Sequence, residues 1–186
     1  MADRPSGRAW VNDFPTSRSL DDLKEPFRTN AQKFLSALDD AGADVTVSAT
    51  VRPPERAYLM HFSFLIAHGF DPGAVPPMTG VDIDWAHRNA SGVADRAAAT
   101  TAAKDMVAGY DIAFAPALHS RHTDGLAIDM TISWDGDLVI DDARGTSVTV
   151  SGAPRSGGNT ALQRVGATYD VHKLPSDPPH WSSDGH

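Results

Sequence analysis

Ser120-Arg121-His122-Thr123-Asp124-Gly125-Leu126-Ala127-Ile128-Asp129 is the stretch from which the rest of the chain is read. Past Gly125, the apolar residues Leu126, Ile128, Met130 and Ile132 alternate with Ala127, Asp129 and Thr131. A period of two predicts a strand with one face towards a core and Asp129 on the other face, among small neighbours. His122 precedes the strand on a loop that Gly125 allows to turn sharply. An imidazole and a carboxylate, seven positions apart, thus converge from a loop and a strand. Neutral imidazole and ionised carboxylate both suit a borderline cation such as zinc. The plainer alternative for this pair is a hydrogen bond inside a loop, with no metal.

A second stretch, Asp177-Pro178-Pro179-His180-Trp181, lies far downstream. His180 completes a His/Asp/His set, and three protein ligands with a fourth position open is the arrangement of catalytic zinc. Asp177, three residues earlier, is a candidate general base. The two prolines stiffen the link between base and ligand. Partial burial of Asp177 beside Trp181 is the setting expected for that role.

Ser120-x-His122-x-x-Gly125-x-Ala127-x-Asp129 resembles the SxHxxGxAxD signature of the LAS-type zinc peptidases. That family contains D-Ala-D-Ala carboxypeptidases and dipeptidases, and the L-alanyl-D-glutamate endopeptidases of phage endolysins. Asp177-x-x-His180 is similar to the family's second motif, an acidic residue three positions before the last zinc ligand. The resemblance runs from about Val45 to Trp181. It implies one zinc ion per chain held by His122, Asp129 and His180, with Asp177 as base. It also implies Arg52 as a substrate-binding arginine, suited to a carboxylate by its planar fork. Ser120 is assigned to the substrate side of the same site, where it and Asp124 are also suited to orient the ligands. The implied fold is α+β, Hedgehog/D-Ala-D-Ala peptidase-like, with helices packed on a small, mainly antiparallel sheet that carries the zinc.

The implied activity is hydrolysis of a peptide bond in the peptidoglycan stem. The Asp-x-x-His spelling looks closer to the endolysin-type L-alanyl-D-glutamate endopeptidases; the D-Ala-D-Ala carboxypeptidase is the alternative. A third reading keeps the fold and the zinc but makes the chain a non-catalytic wall-binding module. The presence of Asp177 argues against it.

Composition bounds the remaining choices. The chain has 186 residues, enough for a sizeable core, and 41% of them are hydrophobic. The net charge of −8 disfavours nucleic acid, which needs clustered Lys and Arg. There is no cysteine, so neither disulfides nor thiolate ligands enter the argument. The first ten residues lack the apolar run of a signal peptide, and no run is long enough to span a membrane. The expectation is therefore synthesis in the cytoplasm and delivery to the wall by a secretion or phage lysis machinery.

Residues 1–18 read as an irregular leader and residues 19–186 as one zinc peptidase domain. Leu20, Leu23, Phe27, Ala31, Phe34, Leu35 and Leu38 follow a helical period that Pro26 threatens to split. Val45–Val51 alternates as a strand, and Arg52-Pro53-Pro54-Glu55 opens a second helix that Gly69 ends. Residues 94–108 are alanine-rich and predict a third helix. Short strands are expected at Tyr110–Phe114, Leu138–Ile140, Ser147–Val150 and Tyr169–Val171. A short helix carrying Leu162 and Val165 is expected to stop at Gly166. Asp84 with His87, and the acidic group Asp135, Asp137, Asp141 and Asp142, are read as solvated loops rather than further metal sites. Residues 71–92 are expected to form a lid or wall that shapes substrate choice.

Overall fold

The structure is a computed structural model that describes residues 3–186. The chain is of mixed α+β type. Its elements in order are β1 (Arg4–Pro5), α1 (Phe27–Asp40), β2 (Asp44–Ala49), α2 (Pro54–Ala67), β3 (Ile83–Asp84), α3 (Arg96–Tyr110), α4 (Arg121–Asp124), β4 (Ala127–Ser133), β5 (Leu138–Asp141), β6 (Ser147–Val150), α5 (Thr160–Thr168), β7 (His172–Lys173) and β8 (His180–Ser182). Contacts divide these into two compact units, each interrupted in sequence. One comprises Thr16–Arg52 and Ser120–His186; the other comprises the residues up to Pro15 together with Pro53–His119.

The first unit is built on an open antiparallel sheet of order β2-β4-β8-β7. In β4, Ile128, Met130 and Ile132 are buried while Thr131 and Ser133 are exposed, as the period of two requires. The buried side chains pack with Phe27, Ala31, Phe34 and Leu38, the apolar stripe of α1 at helical spacing, and with Leu162 and Val165 of α5. Pro26 does divide the first helical region. Residues Leu20–Asp22 form one 3-10 turn and α1 starts at Phe27, because proline fits before the first turn of a helix but not within it. The turn after β4 leads to β5, whose partner is β6.

Gly166 does not stop α5, which continues to Thr168. Its role is close approach. A Cβ there would lie 2.8 Å from the Trp181 ring and 2.9 Å from the Val171 carbonyl oxygen, so only glycine lets the helix sit this near β8. The strand expected at Tyr169–Val171 is displaced to His172–Lys173, because the helix end occupies the earlier residues.

The second unit is a helical pair, α2 with α3, around Tyr58, Leu59, Phe62, Ile66, Ala103 and Met106. The segment read as an irregular leader belongs to this unit in part. Arg4–Pro5 pairs with β3, and a 3-10 turn at Arg8–Asn12 buries Trp10. Residues 71–92 contribute Val81, Ile83 and Trp85 to the same core, and the Trp85 indole N–H donates to the Tyr58 hydroxyl at 3.0 Å. The expected strand at Tyr110–Phe114 is absent. Tyr110 closes α3 and the following residues are irregular, with Phe114 exposed. No helix among the described residues is long and apolar enough to cross a membrane.

Candidate metal centre

His122, Asp129 and His180 come together from three elements of the first unit. His122 lies in α4, a single turn. Ser120 caps it, accepting the Thr123 amide, while the Thr123 hydroxyl serves the Ser120 amide, and Gly125 ends it in the left-handed region at φ 72°. This turn delivers His122 directly above the start of β4. Asp129 and His180 are cross-strand partners in the β4–β8 ladder, which puts their side chains on one face. A register shift between Val47 and Ala49 sets Ala49 opposite Asp129, and the Ser48 hydroxyl donates to the Asp129 carbonyl at 3.2 Å.

The three facing atoms are mutually close. His122 Nε2 is 3.0 Å from Asp129 Oδ1 and 3.1 Å from His180 Nδ1, and His180 Nδ1 is 3.2 Å from Asp129 Oδ1. Ligands about 2.0–2.2 Å from one tetrahedral ion stand about 3.3–3.6 Å apart, so the set needs a shift of only a few tenths of an ångström to hold zinc. Both histidines are buried and Asp129 is half-buried.

The outer nitrogens decide what the inner ones offer. His122 Nδ1 lies 2.6 Å from the Thr50 carbonyl oxygen, and His180 Nε2 lies 3.1 Å from the His186 backbone oxygen. A backbone oxygen only accepts, so each outer nitrogen carries the hydrogen. In the neutral rings, His122 Nε2 and His180 Nδ1 then both point lone pairs at the Asp129 carboxylate. Three acceptors meeting at one point require a cation between them, either a metal ion or protons. Without a metal, burial disfavours ionised Asp129, but the hydrogen bonds and charge of His122 and His180 outweigh it and hold the carboxyl well below its usual range. Burial likewise pushes the His180 imidazole down, and its hydrogen bond to Asp129 and the carboxylate charge more than offset this, for a net rise.

The oxygens that the two outer nitrogens meet are backbone atoms and carry no signal of residue type. Thr50 is fully buried, with its amide bonded to the Ser17 carbonyl and its hydroxyl to the Ser19 carbonyl, which fixes the oxygen that His122 meets. The tail folds back on the Ser182 hydroxyl, which accepts from the Gly185 and His186 amides at 2.9 and 3.1 Å. Asp184 pairs with Arg121, the neighbour of His122. That hydrogen bond holds the Asp184 carboxyl below its ordinary value. Such outer partners orient metal ligands.

Arg52 is half-buried, and its amide donates to the His122 carbonyl at 3.1 Å, so the backbone places it beside the first ligand. Asp177 sits in the turn that leads to His180, whose amide donates to the Asp177 carbonyl. It is exposed rather than partly buried beside Trp181; that indole is fully buried on the sheet and faces Phe34. Asp84 and His87 gain no third ligand among the described residues. Asp84 instead accepts from the Ala86 and Arg88 amides, and His87 Nε2 meets the Ser6 hydroxyl. Asp135, Asp137 and Asp141 are exposed, and Asp142 accepts from the Arg144 and Thr146 amides of its own turn. Comparison with known proteins gives no match to a family model, to a curated protein or to a solved structure.

Proposed function

We propose that this chain is a zinc-dependent peptidase of the peptidoglycan stem peptide, with L-alanyl-D-glutamate endopeptidase activity. The observation that carries the metal reading is the convergence of His122 Nε2, Asp129 Oδ1 and His180 Nδ1 within 3.0–3.2 Å, with both outer nitrogens committed to backbone oxygens. The peptidase reading adds the SxHxxGxAxD spelling and an acidic residue three positions before the last ligand. On this reading the α+β fold is of the D-Ala-D-Ala peptidase type.

A zinc ion at this centre supplies Lewis acidity and lowers the pKa of water towards neutrality. His122, Asp129 and His180 hold it. Asp177 takes the proton of the attacking water and returns it to the leaving amine. Arg52 binds a carboxylate of the substrate. Ser120, which caps the turn carrying His122, is assigned to substrate binding by the resemblance. Secretion or lysis machinery delivers the protein to the wall.

The test is mass spectrometry of fragments released from purified peptidoglycan by zinc-loaded protein, alongside Asp177→Ala. New amino termini at D-Glu support the endopeptidase. Loss of terminal D-Ala moves the assignment to the carboxypeptidase. A zinc-loaded protein that releases nothing overturns the peptidase reading in favour of a wall-binding module. Full turnover by Asp177→Ala removes that residue from the base role.

A further inference from the structure

Lys173, in β7, has its ammonium turned onto the loop that carries Asp177 and His180. Its three N–H groups meet three backbone oxygens: Leu174 at 2.6 Å, His180 at 3.0 Å, and Asp177. An ammonium has three donors and no acceptor, so each donor has a partner. The same three oxygens also close a ring of backbone bonds. Leu174 donates to His180, His180 donates to Asp177, and Asp177 donates to Leu174, at 3.1, 3.1 and 3.2 Å. Each carbonyl therefore takes one amide and one ammonium hydrogen, which uses both of its lone pairs.

This arrangement answers a difficulty in the sequence. Residues 174–180 include Pro175, Pro178 and Pro179, none of which has an N–H to give. Few backbone donors are left to hold the turn. The three carbonyl dipoles also point at one centre, where they repel one another unless a positive charge sits between them. Lys173 supplies that charge, and its Nζ also lies over the Trp181 ring, 5.8 Å from the centroid. The loop is tied to the sheet where the Met130 amide donates to the Pro179 carbonyl at 2.9 Å and where His180 pairs with Asp129 of β4.

We infer that Lys173 is a positioning residue of the metal centre: its ammonium, held in a crown of the Leu174, Asp177 and His180 carbonyls, sets the loop so that the third ligand and the base stand in register with β4. The ordering of the loop follows from the geometry alone. The consequence for zinc rests on the reading of His122, Asp129 and His180 as a metal centre.

Lys173→Met removes the charge and keeps an unbranched stem. Val171→Ala, in a fully buried apolar position just before β7, serves as a control for general loosening. Amide hydrogen exchange is measured on metal-free protein, and zinc affinity by competition with a chelator. In Lys173→Met the Asp177 and His180 amides are expected to exchange at least about tenfold faster while the amides of the β2–β4 ladder stay protected. Zinc affinity is expected to fall about 10- to 100-fold, the usual effect of losing an outer partner. Val171→Ala, at comparable loss of thermal stability, keeps wild-type zinc affinity. Unchanged exchange at Asp177 and His180 overturns the inference, as does an equal loss of zinc affinity in Val171→Ala. A wild-type protein that binds no zinc or cleaves no peptidoglycan sinks the proposed function instead, and the exchange measurement still decides the role of Lys173.

Discussion

Asp129 and His180 face each other across the antiparallel β4–β8 pair, with Oδ1 3.2 Å from Nδ1, and His122 Nε2 closes the triangle from the turn before β4. Two of the three candidate ligands are thus fixed by strand register. A one-residue slip of β8 would send His180 to the opposite face of the sheet.

The carboxylate charge at the centre of this triangle is the first target. Asp129→Asn keeps the shape and removes the charge that two imidazole lone pairs need in a ligand set. Zinc affinity should fall by more than about 100-fold, with the far-ultraviolet circular dichroism unchanged. His122→Ala and His180→Ala should lose metal and activity together, whereas Asp177→Ala should keep metal and lose activity. Metal content by atomic emission and turnover on peptidoglycan separate the two classes.

Stability should respond to pH in opposite senses with and without zinc. In the metal-free protein the His180 imidazole titrates above its ordinary value. Its contribution is fully present below the unfolded pKa of about 6.5 and is lost as pH rises through the higher folded value. Asp129 titrates below its ordinary value. Its contribution is present above the unfolded pKa of about 3.9 and is lost as pH falls through the folded value. Zinc must displace the proton that His180 holds, so its affinity rises over the same interval in which the metal-free protein weakens. Thermal melts at a series of pH values, with chelator and with zinc, should diverge as pH rises past 6.5. Parallel curves would contradict this.

The tail should matter to metal binding although none of its residues is a ligand. Truncation after Ser183 removes the Asp184 partner of Arg121 and the His186 oxygen that meets His180 Nε2. The Arg121–Asp184 pair is solvent-screened and by itself adds little to stability. The ring of His180, however, loses the acceptor that fixes its tautomer. A fall in zinc affinity of about tenfold with little change in melting temperature is expected.

Packing under β8 should be intolerant. Gly166→Ala drives a methyl into the Trp181 ring and the Val171 carbonyl, and about 1–3 kcal/mol of destabilisation is expected. Phe34→Ala removes a ring packed on the same indole, with centroids 5.5 Å apart, and should cost about 3–5 kcal/mol. Denaturant titration of both variants measures these values directly.

The mixed α+β class, the strand after Gly125, the split at Pro26 and the helix opening at Pro54 were all legible, because each rests on local chemistry: a period of two, a missing N–H, a fixed φ. Local propensity failed where tertiary context overrode it. Tyr110–Phe114 reads as a strand by composition, yet Tyr110 is needed at the end of α3, where its hydroxyl donates to the Trp10 carbonyl. Gly166 reads as a helix stop, yet it is the point where α5 touches Trp181.

What the sequence by itself determined is the set of chemical groups: two imidazoles and two carboxylates, spaced so that one pair flanks a turn and the other a proline-stiffened link. That information survives in residue identities. Only the tertiary structure decided that Asp129 and His180 meet in register across β4–β8, that the Thr50 and His186 oxygens fix the tautomers of the two imidazoles, and that the Lys173 ammonium meets the loop bearing Asp177. Those decisions rest on strand register and on backbone oxygens, which every residue carries whatever its side chain, so residue identities do not specify them before the chain has folded.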